Sequence, residues 1–176
     1  MILTSFIETP IGVMVAGAVE EGMCLLEFID RRMLNTEYKD LARLLKTSVE
    51  EGENKHVKEI RRQLKEYFDG KRKEFTLPLV TPGTGFQQAV WLELQKIPFG
   101  STRTYQEQAE ALNKPGAVRA VANANGMNRI SIVIPCHRII GSDGNLTGYG
   151  GGLWRKRWLL DHEKRFSGMP VDLELF

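Results

Sequence analysis

Cys136 stands in the run ISIVIPCHRII, residues 130–140, with Pro135 before it and His137 and Arg138 after it. A thiol becomes a strong nucleophile once it loses its proton, and basic neighbours favour the thiolate. A lone cysteine in an apolar run is also the usual picture of a small buried hydrophobe, and the sequence leaves both readings open. His137 is either a proton acceptor for that thiol or a satisfied core histidine, and Glu163 either its partner or a solvated carboxylate on a basic helix. Cys24 lies in the apolar run Met23 to Phe28 without basic neighbours, which assigns it to core packing. Two cysteines without a CxxC pair are too few for a disulfide scaffold or a structural zinc site, so no metal is expected.

The elements around these residues fall into two groups. Up to Phe28, short apolar runs split by Thr9-Pro10, Gly12 and Glu21-Gly22 predict three strands in a small antiparallel sheet. From Thr36 the period changes. Tyr38, Leu41 and Leu45, then Val57, Ile60, Leu64 and Phe68, recur at helical spacing, and Asp69-Gly70 stops the second helix. The stretch KRKEFTLPLVTPGTG has no core periodicity and is a connector, which places a domain boundary near residue 80, between domains 1–80 and 81–176.

Beyond the connector, Phe86, Ala89, Val90, Leu94 and Ile97 line one face of a helix that ends before Pro98. Thr104 can cap a second short helix closing at Asn113, and Pro115 suits the first turn of a third, which together make a helix-turn-helix. The third helix, PGAVRAVANANG, is rich in alanine and carries one long basic side chain, Arg119. DNA-reading helices share that composition, as do many packed ones. The run around Cys136 predicts a buried strand or extended segment interrupted by Pro135 to Arg138. In GSDGNLTGYGGG, residues 141–152, six of twelve positions are glycine, so the backbone there turns tightly or approaches something closely. A last helix sets Leu153, Trp154, Trp158 and Leu160 against Arg155, Lys156 and Arg157.

Composition excludes several classes. With 42% hydrophobic and 26% charged residues over 176 positions, the chain can build a core, which excludes wholesale disorder and fibrous classes. No apolar run reaches membrane length and the N-terminus lacks a signal-peptide pattern, so a soluble intracellular protein is expected. The net charge of +2 is uneven along the chain. Between residues 96 and 158, nine Lys/Arg face three Asp/Glu, a surplus of six that predicts a polyanion partner.

The segments IPCHRII and GYGGGLWRKRWLLDHE resemble the active-site region of the O6-alkylguanine-DNA alkyltransferases, the methylated-DNA–protein-cysteine methyltransferases. The likeness extends through NRISIVIPCHR, RAVANANGMN and FGSTRTYQEQA, roughly residues 83 to 165, ordered and almost ungapped. The N-terminal half resembles that family's ribonuclease-H-like domain only in size and strand-then-helix order. The resemblance implies an α/β (α+β) fold with a mostly helical, winged helix-turn-helix-like C-terminal domain. It implies direct, irreversible, stoichiometric transfer of a methyl or small alkyl group from guanine O6, and from thymine O4, in double-stranded DNA. It further implies a monomer without cofactor or membrane partner, cytoplasmic or, in a eukaryote, nuclear.

By position, the resemblance makes Cys136 the alkyl acceptor, His137 the base acting through a water, and Glu163 the carboxylate that orients it. Tyr105 corresponds to the phenol that meets the purine and supplies its proton, and Asn128 to the asparagine that holds the turn before the active-site segment. Arg119 corresponds to the finger that fills the gap left by the extruded base, with Ala120 beside it. Tyr149 and Gly150 correspond to the wall of the base pocket, and Arg138 joins the DNA-facing set. Gly150, Ser131 and Asn125 depart from residues found in some members and bear on pocket width. Two competitors are a lesion-recognition module that only binds, against which Cys136 argues, and a Cys/His hydrolase, for which no oxyanion hole is specified.

Overall fold

A computed structural model of the chain describes residues 1–168, so the end of the expected second domain, 169–176, lies outside the described residues. Strand β1 (Ile2–Thr9) turns through Pro10-Ile11 and pairs antiparallel with β2 (Gly12–Val19). Thr9 closes the turn by donating its hydroxyl to the Gly12 carbonyl at 2.6 Å. Strand β3 (Gly22–Phe28) adds antiparallel to β2, completing the expected trio. Helix α1 (Leu34–Leu44) leads to a fourth strand absent from the sequence reading, β4 (Val49–Glu51), which pairs parallel with β1 and gives the order β3-β2-β1-β4. Three residues are too few to show an alternation.

Helix α2 (Lys55–Phe68) begins at Asn54, whose side-chain oxygen accepts from His56 N and Val57 N. Val57, Ile60, Leu64 and Tyr67 are buried at three- and four-residue spacing, and α2 packs on β1 and β2. Burial of each such side chain contributes about 1.5–3 kcal/mol. The connector is better anchored than its composition predicts. Met23 N donates to Pro78 O at 3.0 Å and Val80 N to Met23 O at 2.7 Å, so residues 78–80 lie along the outer edge of β3.

In the second half, Thr84 caps α3 (Gly85–Gln95) in a reciprocal box with Gln87. Thr104, at the end of the two-residue β5 (Arg103–Thr104), caps α4 (Tyr105–Ala111) as expected. Asn113 takes the left-handed φ of 58° that reverses the chain. Helix α5 (Val118–Gly126) starts at Val118 and not at Pro115, which lies in the preceding turn. Helices α4 and α5 form the helix-turn-helix. Gln108 and Asn125 join them through a reciprocal pair of buried amide hydrogen bonds, both 2.8 Å.

The run 130–140, expected as a buried strand or extended segment, forms no continuous strand. A single rung joins Ile130 to Leu26 on the free edge of β3, with Leu26 N donating to Arg129 O at 2.9 Å and Ser131 N to Leu26 O at 2.8 Å. Ile132 then turns the chain at φ 71°, and residues Cys136–Arg138 form one 3-10 turn before β6 (Ile139–Ile140) pairs parallel with β5. The β-branched side chains are buried, as their composition predicts, inside a loop instead of a ladder. Asn128 explains why: its Oδ1 accepts from Ile130 N at 2.9 Å and its Nδ2 donates to Ile134 O at 2.8 Å, supplying bonds a neighbouring strand would otherwise give.

Helix α6 (Leu153–Phe166) reverses another expectation, because Leu153 and Trp154 are exposed while Arg155 and Lys156 are buried. Arg155 reaches an exposed carboxylate at the surface and Lys156 meets backbone carbonyls. Arg155 pairs with Asp30 at 2.7 Å, donates to Ile11 O at 2.8 Å and lies 4.0 Å from the centre of the Phe28 ring. Lys156 donates to Thr147 O at 3.0 Å and Gly148 O at 3.2 Å. No helix among the described residues is long and apolar enough to cross a membrane.

Candidate active site

Cys136 opens the 3-10 turn that follows the Asn128-pinned loop. The Asn128 amide that holds Ile134 O also donates to Cys136 Sγ at 3.3 Å, so one side chain fixes both the loop and the sulfur. The electropositive setting expected from PCHR is absent at the sulfur itself. Burial pushes the thiol above its ordinary pKa, outweighing the Asn128 bond and the more distant Arg31 and Lys156. At rest Cys136 is therefore a thiol.

His137 is fully buried, and its Nε2 meets Glu163 Oε2 at 2.7 Å. Burial holds the imidazole below its usual pKa despite the adjacent carboxylate, so the ring is neutral. With the Nε2 proton directed at Glu163, Nδ1 is the acceptor, and it has no partner among the described residues. Glu163 is 1% exposed, which rules out a solvated surface role. Burial alone would raise its pKa. His137 and Arg138 overcome that and hold the carboxyl far below the usual carboxylate range.

Arg138 is where the structure departs most from the expected DNA-facing set. It is 6% exposed, donates to Glu163 at 2.7 and 3.0 Å through Nε and Nη2, and caps Ile97 O at 2.7 Å. A guanidinium committed to that fork cannot reach a phosphate. Two further donors reach Glu163: Gly100 N at 3.3 Å and, from α2 of the N-terminal domain, the Tyr67 hydroxyl at 2.6 Å. Tyr67 escapes sequence reasoning because its spacing from Ile60 and Leu64 marks it only as core.

A cavity of about 630 Å³ opens over Cys136. Tyr105, Val118, Arg119 and Ala122 line its helix-turn-helix side, and Arg31, Ser131, Tyr149 and Gly150 line its other walls. Arg119 is exposed, and Ala120 lies beside it on the exposed face of α5. Tyr105 donates its hydroxyl to Thr147 O at 2.9 Å, the carbonyl that Lys156 also holds, so the phenol is engaged with the glycine-rich loop. Burial lowers the Lys156 ammonium to about 8. Lys156 and Arg31 are site residues the sequence reading missed. Neither carries a local signal, since one reads as part of a basic run and the other lies more than a hundred positions from the thiol.

The surplus of six positive charges is not a surface charge. Arg129, Arg138, Arg155 and Lys156 are all buried, leaving Lys96, Arg103, Lys114, Arg119 and Arg157 at or near the surface against Glu107, Glu110 and Asp143. Cys24 is buried as expected, and desolvation pushes its thiol up to about 12.

Fold and site together define a two-domain α/β protein in which a half-buried cysteine beside a buried histidine–glutamate pair faces a cavity lined by a helix-turn-helix. The chain matches the ribonuclease-like domain of 6-O-methylguanine DNA methyltransferase over residues 2–81 and that family's DNA binding domain over residues 85–165, and it belongs to this family. A methylated-DNA–protein-cysteine methyltransferase of Mycobacterium tuberculosis is 55% identical over 114 residues, covering 65% of this chain and 68% of the relative. One from Methanosarcina barkeri is 44% identical over 159 residues, covering 90% and 94%. The crystal structure of M. tuberculosis OGT in complex with DNA superposes with a TM-score of 0.78 at 40% identity, covering 97% of each chain.

Proposed function

We propose that this protein repairs DNA by transferring a methyl or small alkyl group from O6 of guanine, and from O4 of thymine, irreversibly to Cys136. The observation that carries the proposal is the half-buried thiol held by Asn128 in the lining of a cavity bordered by α5, with a neutral imidazole backed by a paired carboxylate beside it. In the transfer, the Sγ–carbon bond forms as the carbon–O6 bond breaks. The thiol proton passes to Nδ1 of His137 through a bridging water, since Sγ and the imidazole share no direct hydrogen bond among the described residues. Glu163 stabilises the resulting imidazolium, a general-base contribution of about 10²–10⁴-fold.

The departing guanine leaves as its lactam after gaining a proton. Tyr105 supplies it once the arriving base displaces the Thr147 carbonyl from its hydroxyl. A stacked base cannot bring O6 to a buried sulfur, so the target nucleotide must be extruded, with exposed Arg119 on α5 filling the gap in the duplex and Ala120 allowing close approach. Tyr149 and Gly150 wall the extruded base. A thioether is a poor leaving group, so each molecule acts once. We take the working unit to be a monomer divided near residue 80, without cofactor, acting where the DNA is: in the cytoplasm, or in the nucleus of a eukaryote.

Incubation with a duplex carrying O6-methylguanine, followed by intact-mass and peptide analysis, should place one methyl on Cys136 and none on a Cys136→Ala variant that still binds DNA. Binding without mass gain by the wild type would leave a lesion-recognition module instead.

A further inference from the structure

We propose that Arg31, contributed by the N-terminal domain, is a specificity-determining residue that closes the cavity wall over Gly150 and restricts the site to methyl and similarly small alkyl groups. The inference rests on the alkyl-transfer reading above and adds to it the size of adduct accepted.

Three elements fix the Arg31 side chain, which is only 8% exposed. Its Nη1 pairs with Glu27 on β3, lies 3.2 Å from Glu37 on α1 and donates to Asn128 O at 3.1 Å. Its Nη2 donates to Gly126 O at 2.6 Å, at the end of α5. Glu27 in turn accepts from the hydroxyl of Ser131, so the same network holds two cavity-lining residues.

The position of the guanidinium shows in what it denies to residue 150. A Cβ built on Gly150 would lie 2.5 Å from Arg31 Cζ, 2.7 Å from Nε and 2.9 Å from Nη1, closer than such atoms approach in folded proteins. Gly150 is not at a positive φ, so the glycine is required by this neighbour and not by the backbone. Arg31 thus fills the volume that a side chain at 150 would occupy, in the wall of the cavity that holds Cys136. It is not a side chain that swings away freely. Leaving would strand Glu27, which is fully buried with its carboxyl pushed up by burial, without the guanidinium it bonds. A methyl group needs only the space at the sulfur, whereas each further carbon of a longer alkyl group presses on a wall braced from two domains.

The test compares single-turnover rates of protein alkylation on duplexes carrying O6-methylguanine and O6-butylguanine. The Arg31→Met variant is combined with Glu27→Gln so that no unpaired carboxylate remains in the interior. Glu37 adds none: burial is the largest cause pushing its carboxyl up, and that burial remains when Glu27 and the pKa-lowering Arg31 are both replaced. The butyl-to-methyl rate ratio should rise by on the order of tenfold or more, the scale on which a pocket discriminates single methylenes. Arg31→Lys, which keeps the charge but loses the planar fork, should raise the same ratio less, and it serves if the double variant is poorly folded. Gly150→Ala should lower the wild-type melting temperature and have little effect where Arg31 is already shortened. An unchanged ratio, or an equal effect of Gly150→Ala in both backgrounds, overturns the role of Arg31 while methyl transfer by the wild type still stands. Absence of methyl transfer by the wild type would instead remove the underlying reading.

Discussion

Four donors converge on the one buried carboxylate of Glu163: His137, Arg138, Tyr67 and Gly100 N. Replacing it with Gln should lower the alkyl-transfer rate at neutral pH by about 10²-fold or more, since the imidazolium loses its counter-charge. The pH profile separates this from misfolding. With His137 neutral and Cys136 protonated at rest, the wild-type rate should stay flat until the imidazole protonates below its ordinary range. The Glu163→Gln rate should instead climb with pH as direct thiol ionisation takes over. A parallel loss at every pH would argue for a structural role alone. Stability follows the opposite limb. The folded carboxyl has a depressed pKa, so its stabilisation is complete above the ordinary carboxylate value and is lost as pH falls towards the depressed one.

Between the helices of the helix-turn-helix, the reciprocal Gln108–Asn125 pair sets how α5 is presented. Gln108→Ala leaves a buried amide unpaired and should cost about 1–3 kcal/mol, whereas replacing both residues with Leu should cost less than either single change. Thermal melting of the three variants decides this, and simple additivity would mean the amides contribute independently. Elements of this kind were legible in the sequence where periodicity runs long: α2, α3 and the α4–α5 pair follow from apolar spacing, with Thr104 capping α4. Cys136, His137 and Glu163 were legible through their resemblance to a family. What stayed hidden depends on tertiary contact. Ile130 to Ile134 has the composition of a strand but is folded into a loop by the Asn128 side chain, and Arg155 and Lys156 look like a solvated face but find carbonyl and carboxylate partners. No short window of sequence contains Arg31 together with Gly126 and Asn128, or Tyr67 together with Glu163.

Over the whole molecule, the distribution of charge limits how DNA can be held. Linear arithmetic on the basic segment counts nine cations, but burial leaves five at or near the surface, and Lys96 already pairs with Glu93 at 2.6 Å. The dependence of duplex affinity on salt should therefore have a log–log slope no steeper than about 4 to 5, at about 0.9 per phosphate contact. Titration at several salt concentrations measures it. A slope of about 8 or more would mean that the buried cations emerge on binding.

The Tyr67 hydroxyl against Glu163 and the β3 edge against Ile130 also carry a consequence for the order of events in the life of the chain. The N-terminal sheet and α2 are synthesised first and can fold while the rest is still being made. They contain no reacting atom, but they supply the strand edge along which the Cys136 loop is laid and a phenol that steadies its carboxylate. Glu163 emerges 27 residues after Cys136. A growing chain thus carries its thiol before the carboxylate proposed to support it has been made. If Glu163 backs His137 as proposed, the thiol gains that support only when α6 docks onto an N-terminal domain that is already folded.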